Sequence, residues 1–381
     1  MINVNKELGY YTVGDKEFGS KIEACVYANN TKQEVKWVFN DDVFSKVDWT
    51  IEPEESLRTL YNRRAKQLRE QYDYIVISYS AGADSHNVLM SFVNQGLHVD
   101  EILVNTFEKA NKTIVNNESV TDNWNYGAEY ALQIYPRLEE LRQKLPRTKI
   151  TVSDLSDFAF EKLRSFKDPT WVLDQKEVVN LSGMTRYNYL YFKDIRKQFD
   201  KNYKIAMVVG VEKPTTYIKD DNFHVAFFDR SSNITPVQVH FQDYTNTTVE
   251  NFYWHPSCTK MIAKQVHTIR KWLEANPQFK PLWTYVTRKQ FGQNGATIHK
   301  LLRTIIYPDT WKPSWWQADK STRFFHDEID AWFHVLYSDT PEHKIWTQGI
   351  EWIKENTGDF MQDDGEALEL FYKVYWAGKI S

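Results

Sequence analysis

A short polar loop between two apolar segments carries the residues of this chain that are best suited to chemistry. It consists of Ser80, Ala81, Gly82, Ala83, Asp84 and Ser85. Small side chains leave backbone N–H groups free to converge on an anion, and a helix that follows such a loop adds its positive N-terminal end. The serine hydroxyls are further donors, and the Asp84 carboxylate could hold a magnesium ion beside phosphates. These residue types indicate a phosphate-binding site.

The segments on either side of the loop predict the elements that position it. Residues 75–77 are β-branched and of strand length, and residues 102–104 form a second such run. Between them, the apolar residues at 88, 89, 92 and 93 have helical spacing, and Gly96 can end the helix. This order of strand, helix and strand predicts a βαβ unit, and therefore a parallel sheet with right-handed crossovers.

The loop is not a Walker motif, because no Gly-Lys-Ser/Thr follows it. It resembles the looser signature of the PP-loop ATP pyrophosphatases, Ser-x-Gly-x-Asp-Ser, which Ser80, Gly82, Asp84 and Ser85 match. Ala81 stands where the stricter signature has its first glycine. The resemblance covers residues 72–214 and implies an α/β fold, with a HUP-like parallel-sheet domain that binds ATP and Mg²⁺. It places residues 80–85 on the phosphates and Asp84 on the metal. The alternative is an ordinary strand-to-helix turn capped by serine or aspartate.

Two further strand ends complete the site that the resemblance implies. In the family, adenine lies against the end of the strand matched by residues 103–106, which assigns Asn105 and Thr106 to the nucleotide. The apolar run 204–211 is typical of a strand buried on both faces, and Gly210 at its end permits close backbone approach where such sheets bind ligands. PP-loop enzymes commonly supply a basic residue from this strand end, which makes Lys213 the candidate. The alternative is an exposed lysine before a turn proline.

The length of 381 residues predicts two domains with room for an appendage. We expect a small N-terminal β region at 1–52, the ATP-binding domain at 53–244 and a helical C-terminal domain at 245–381. Alternating apolar residues predict strands at 22–26 and 35–39, and a hairpin is expected to turn at 230–233. Helical patterns lie at 53–71, 182–199, 323–338, 343–356 and 365–377. The tryptophans at 311, 315 and 316 are expected to pack between helices.

The composition limits the partners. A net charge of -4 and a pI near 6.2 argue against a general nucleic-acid binder. No apolar run reaches membrane-spanning length, and the N-terminus lacks a signal-peptide pattern. Cys25 and Cys258 form no disulfide framework, and His255, Cys258 and His267 lack zinc-finger spacing. We therefore expect a cytoplasmic protein that acts on a small molecule or nucleotide.

The resemblance implies an AMP-forming ligase, closest in kind to the synthetase half of asparagine synthetase. A substrate oxygen would be adenylated with release of pyrophosphate, and an amine would then displace AMP, with Asp84 and Lys213 as the catalytic residues. Ile2 stands at the position of the glutaminase cysteine, so a glutaminase of that type is not expected. A similarity to phage-encoded PP-loop proteins suggests a nucleotide or nucleic-acid substrate.

Two alternatives stay open. The first is a PAPS-reductase-like, sulfonucleotide-binding protein, although the Glu-Cys-Gly-x-His motif of those reductases is missing. The second is a nucleotide-binding module in which Ala81 has ended catalysis.

Overall fold

The structure is a computed structural model that describes residues 6–115, 127–169, 203–210, 212–229, 246–285, 288–316, 328–360 and 371–380. The strands in these ranges are β1 (Tyr10–Val13), β2 (Lys16–Phe18), β3 (Val35–Val38), β4 (Tyr74–Ser78), β5 (Glu101–Thr106), β6 (Lys149–Asp154), β7 (Ile205–Val209), β8 (Thr215–Lys219), β9 (Asn222–Phe228), β10 (Thr247–Asn251) and β11 (Tyr372–Lys379). The α-helices are α1 (Lys21–Thr31), α2 (Asp41–Phe44), α3 (Leu57–Gln71), α4 (Ala83–Val93), α5 (Glu108–Val115), α6 (Tyr135–Lys144), α7 (Ser156–Arg164), α8 (Thr259–Ala275), α9 (Lys280–Trp283), α10 (Arg288–Ile306), α11 (Glu328–Ala331) and α12 (Pro341–Thr357). Two π-helical turns, Tyr130–Ile134 and Trp332–Leu336, lie next to α6 and α11.

A parallel sheet lies at the centre of the described structure. Its strands are ordered β10-β7-β4-β5-β6, and each neighbouring pair runs parallel. All five residues of β7 are buried, as expected for a parallel strand covered on both faces. The predicted α/β fold with a parallel sheet is therefore confirmed. None of the helices in the described ranges combines the length and apolar character needed to span a membrane.

The predicted βαβ unit consists of β4, α4 and β5. Helix α4 begins at Ala83, inside the polar loop, and buries Val88, Leu89 and Phe92. After the helix, Gly96 has a φ of +67°, a left-handed conformation that glycine adopts without steric cost. The unit therefore delivers the loop to the edge of the sheet at which the strands end.

The N-terminal region contains a helix that the sequence pattern did not predict. Residues 21–31 form α1, whereas alternation at 22–26 predicted a strand, so that prediction is wrong. The Ser20 hydroxyl caps the helix by accepting a hydrogen bond from the Glu23 N–H at 3.3 Å. The strand predicted at 35–39 is confirmed as β3, which pairs with β1 in an antiparallel sheet of order β2-β1-β3.

A second antiparallel sheet has the order β11-β9-β8. The helix predicted at 365–377 is wrong for its described part, because residues 372–379 form β11. Tyrosine, valine and tryptophan favour strands, and pairing with β9 decides the conformation. The chain turns between β8 and β9 at Asp220 and Asp221, both with positive φ. The turn predicted at 230–233 and the helix predicted at 182–199 lie outside the described residues.

Three other segments refine the predicted boundaries. Helix α3 begins at Leu57 rather than near residue 53, because the Ser56 hydroxyl accepts the Thr59 N–H at 3.1 Å and caps it. Helix α12 confirms the pattern at 343–356. Strand β10 begins just after the expected boundary at 244–245 and pairs with β7, so the parallel sheet draws strands from both sides of that boundary.

One buried carboxylate joins the two antiparallel sheets. Asp229, directly after β9, forms an ion pair with Lys21 of α1 at 2.7 Å, and the side chains are 0% and 8% exposed. Its oxygens also accept hydrogen bonds from the Tyr11 hydroxyl at 3.0 Å and from the Phe371 N–H at 3.1 Å. The pair therefore links α1, β1, β9 and the segment that leads into β11.

Replacing Lys21 should test this link. Lys21→Met leaves the Asp229 carboxylate buried without its cation, and breaking a buried pair in this way costs about 3–5 kcal/mol of unfolding free energy. Lys6→Met is the control, because Lys6 pairs with Glu17 at 2.7 Å with both side chains exposed. Urea unfolding should show a large loss of unfolding free energy for Lys21→Met and little change for Lys6→Met. Equal losses in the two variants would contradict the role assigned to the buried pair.

Candidate functional site

The candidate site lies where β4, β5 and β7 end, at one edge of the parallel sheet. Strand β4 ends at Ser78, and the N–H of the next residue, Tyr79, still donates to the Leu103 carbonyl at 2.8 Å before the chain turns through residues 80–82 into α4. Gly82 is the N-cap of α4 and supplies no side-chain cap. No capping side chain therefore competes with a ligand for the first N–H groups of the helix.

The serines of the loop bond to each other. The Ser80 N–H donates to Ser85 Oγ at 3.2 Å, and the two hydroxyl oxygens are 3.3 Å apart. The Gly82 N–H donates to Ser80 Oγ at 3.3 Å. These bonds close the loop into a compact turn, so the serines hold its shape as well as offering hydroxyl groups.

Ala81 keeps a conformation that normally favours glycine. Its φ is +56°, and its side chain is fully buried. A residue with a Cβ atom in the left-handed region costs about 1–2 kcal/mol. The loop therefore has the left-handed backbone that suits a glycine, although an alanine occupies the position.

Gly210 brings the end of β7 against the loop. A Cβ atom on Gly210 would lie 3.2 Å from the Asp84 carbonyl carbon and 3.2 Å from the Ser85 nitrogen. Both atoms belong to backbone that cannot rotate away, so a side chain here would push the first turn of α4 outward. Gly210 therefore makes a close backbone approach to the first turn of α4, and Val211 lies outside the described residues.

Asp84 and Lys213 contact each other although they are 129 residues apart in the sequence. The Lys213 ammonium donates to Asp84 Oδ2, and the Tyr307 hydroxyl donates to Asp84 Oδ1 at 2.7 Å. Lys213 is 6% exposed and Asp84 is 27% exposed. The alternative of an exposed surface lysine is therefore wrong.

The environment of Asp84 favours its charged form. Burial acts to raise the pKa of the Asp84 carboxyl, but the charge and hydrogen bond of Lys213 and the bond from Tyr307 outweigh it. The pKa of Asp84 consequently lies below its ordinary value. The carboxylate is ionised at neutral pH and is paired with the Lys213 ammonium.

Tyr253 and Tyr307 are site residues that the sequence reasoning missed. The Tyr253 hydroxyl donates to the Asp84 carbonyl oxygen at 3.0 Å and accepts from Asn87 Nδ2 at 2.9 Å. The rings of Tyr61, Tyr253 and Tyr307 pack together, with centroids 5.8–6.0 Å apart. Burial raises the pKa of both Tyr253 and Tyr307 well above the ordinary value, so both act as neutral donors. Tyr253 follows β10 at the carboxyl edge, a position that could have identified it, whereas Tyr307 carries no such signal.

The end of β5 presents polar atoms without protein partners. Asn105 Oδ1 and Thr106 Oγ1 are buried, and neither has a hydrogen bond in the described structure. Buried polar atoms are nearly always paired, so these two are available to a ligand or to water. They lie at the position that the resemblance assigns to the nucleotide.

The described residues offer few side chains that could act as metal ligands. Within the described ranges, no three His, Cys, Asp or Glu side chains are grouped as metal ligands would be. His255 Nδ1 bonds to Ser257 Oγ at 2.7 Å, and His267 Nε2 bonds to the Trp49 carbonyl at 3.1 Å. Magnesium commonly takes one or two carboxylates together with phosphate oxygens. Asp84 is the carboxylate of the loop, and its two oxygens accept from Lys213 and Tyr307.

A histidine is buried beside the loop. His86 Nδ1 lies 2.9 Å from the Tyr79 hydroxyl, and its ring meets the edge of Trp315. Burial, followed by the charges of Arg137, Lys144 and Lys312, lowers the pKa of His86 from 6.5 to about 3. His86 is therefore neutral at neutral pH.

This depressed pKa predicts how stability depends on pH. The contribution of His86 is fully present above pH 6.5 and is lost as the pH falls from 6.5 towards 3, because the unfolded state binds the proton first. His86→Gln should reduce the slope of unfolding free energy in this range by up to about 1.4 kcal/mol per pH unit. Urea titrations at several pH values measure the slope. The exposed His98→Gln is the control, and identical slopes in the two variants would contradict the prediction.

No protein-family model matches the chain, and no curated protein sequence is similar to it.

Proposed function

We propose that this protein is an ATP-dependent, AMP-forming ligase that binds ATP at the carboxyl edge of the parallel sheet. The observation that carries the proposal is the convergence of the Ser80–Ser85 loop, Gly210 and Lys213, which come from distant parts of the chain. An ordinary capped turn would need neither a buried lysine nor a glycine packed against its backbone. The match to the PP-loop signature identifies the chemistry that such a convergence would serve.

Each element has a role in this proposal. The N–H groups of the loop and of the first turn of α4 would hold the β- and γ-phosphates. The Lys213 ammonium would offset negative charge as it grows on the leaving pyrophosphate. Asn105 and Thr106 would meet the nucleoside, because they lie at the end of β5 with unpaired polar atoms. A magnesium ion, when bound, would neutralise phosphate charge, and Asp84 is its ligand from this chain.

The reaction in this proposal is a displacement at the α-phosphorus. An oxygen of the substrate would attack it, the bond to the bridging oxygen would break, and pyrophosphate would leave with both electrons. An amine would then displace AMP from the adenylate. The protein supplies position and electrostatics and no covalent nucleophile.

The sulfonucleotide-reductase alternative requires a reactive thiol, and the cysteines do not provide one. Cys25 is fully buried in α1. Burial, the largest influence, raises the pKa of the Cys258 thiol, which disfavours the reactive thiolate. The alternative of an inactive module is also less favoured, because Ala81 retains the left-handed backbone that suits a glycine at its position. Adenylation without a cysteine is the better supported chemistry.

Nucleotide binding should depend on Asp84. In calorimetry with ATP and magnesium, Asp84→Ala should bind at least tenfold more weakly, which corresponds to about 1.4 kcal/mol. Asp100→Ala is a matched control, because Asp100 pairs with Arg69 at 2.5 Å just before β5, at the opposite edge of the sheet. The Asp100→Ala variant should lose stability but keep its affinity for ATP. Unchanged affinity in Asp84→Ala would contradict the proposed site.

The products should be AMP and pyrophosphate. We expect chromatography after incubation with ATP, magnesium and a panel of carboxylic acids and amines to show AMP with the productive pair. Lys213→Met should lower turnover at saturating ATP, because it removes the charge that stabilises the leaving group. Accumulation of ADP and phosphate would reject cleavage at the α-phosphorus.

A further inference from the structure

Two side chains of one helical segment contact the back of the loop. Gln133 lies in the π-helical turn Tyr130–Ile134, and Arg137 lies four residues later in α6. Gln133 Nε2 donates to the Ser80 carbonyl at 3.1 Å, and Arg137 Nη1 donates to the Ala81 carbonyl. Both side chains are buried. Two consecutive carbonyl groups of the loop are therefore bound by donors from the same segment.

These contacts determine the direction of the N–H groups. In a planar trans peptide, the carbonyl oxygen and the following N–H point in opposite directions. Because the carbonyls of Ser80 and Ala81 point towards Gln133 and Arg137, the N–H groups of Ala81 and Gly82 point away from that segment, and the Gly82 N–H donates to Ser80 Oγ within the loop. Carbonyl oxygens carry partial negative charge and repel a phosphate. In this arrangement, the Ser80 and Ala81 carbonyls point away from the side of the loop at which a phosphate would bind.

The guanidinium of Arg137 is itself held in place. Its carbon lies 4.8 Å from the ring centre of Trp311 and 4.6 Å from that of Trp315. Its Nη2 donates to the Trp316 carbonyl at 3.1 Å. A planar guanidinium can stack on aromatic rings while its N–H groups donate in fixed directions at its rim, whereas an ammonium also has several donors but no plane that can stack. The tryptophans therefore do more than pack between helices, because they orient the donor.

We propose that Arg137 and Gln133 are positioning residues that orient the N–H groups of the loop for the phosphates of the nucleotide. The inference rests on the proposed function for the identity of the ligand. It also explains why Ala81 is tolerated. The hydrogen bond from Arg137 holds the Ala81 carbonyl in the orientation that its left-handed backbone requires, so the loop needs this bond more than it would with a glycine.

The test combines measurements on the loop amides of the free protein with a measurement of anion binding. Arg137→Met keeps an unbranched side chain between the tryptophans but removes both donors. We expect faster hydrogen exchange and shifted amide resonances at Ala81 and Gly82, and at least tenfold weaker binding of inorganic pyrophosphate. Arg137→Lys should show the same losses, and Ala81→Gly in the Arg137→Met background should recover part of the affinity. Gln133→Leu removes the donor to the Ser80 carbonyl, and it allows the same measurements if Arg137→Met does not fold.

Arg164→Met is the matched control. Arg164 also lies over aromatic rings, 5.6 Å from Trp332 and 5.1 Å from Tyr337, but it contacts no loop carbonyl. It should leave both the loop amides and the pyrophosphate affinity unchanged.

The outcomes separate the two proposals. Wild-type amide resonances and wild-type affinity in Arg137→Met and Gln133→Leu would overturn the positioning role. Altered loop amides without any pyrophosphate binding by the wild type would support the positioning role and reject the proposed function.

Discussion

The close approach of the end of β7 to the first turn of α4 is the constraint on which the candidate site depends. Only the missing side chain of Gly210 lets the backbone of Asp84 and Ser85 lie so near that strand. This approach delivers Lys213, three residues further along, to the Asp84 carboxylate. A side chain at position 210 would require the first turn of α4, which carries Asp84, to move by a few tenths of an ångström.

The balance of charge at the loop follows from this contact. Asp84 and Lys213 largely cancel each other, and the phenols of Tyr253 and Tyr307 add hydrogen bonds without adding charge. In the proposed function, attraction for the phosphates would therefore come mainly from oriented backbone N–H groups and from the Arg137 guanidinium behind them, while Lys213 would offset the charge that develops on the leaving pyrophosphate. Such a site would select its anion by geometry, since backbone N–H groups attract an anion only when they point towards it.

Sequence patterns predicted the parts of the site that are built from residues close together in the chain. The loop, the strand before it and the helix after it follow from residues 75–96, and Gly210 follows from its place at the end of a buried strand. The same reasoning failed at residues 21–31 and 372–379, where short apolar patterns fit either a helix or a strand. There, the Ser20 cap and the pairing with β9 decide the structure. Tyr307 and Arg137 could not be found at all, because only the folded chain brings them to the loop.

The pairing of β11 with β9 has a consequence for synthesis of the chain. The ribosome makes residues 222–228 long before residues 372–379, and at ordinary elongation rates the delay is on the order of ten seconds. During this time, the edge of β9 that β11 will cover exposes unpaired N–H and carbonyl groups to other nascent strands. The Phe371 N–H, which bonds to Asp229, arrives equally late. Completion of this sheet is thus a late event in folding, and the interval before it leaves this edge of β9 open to intermolecular strand pairing.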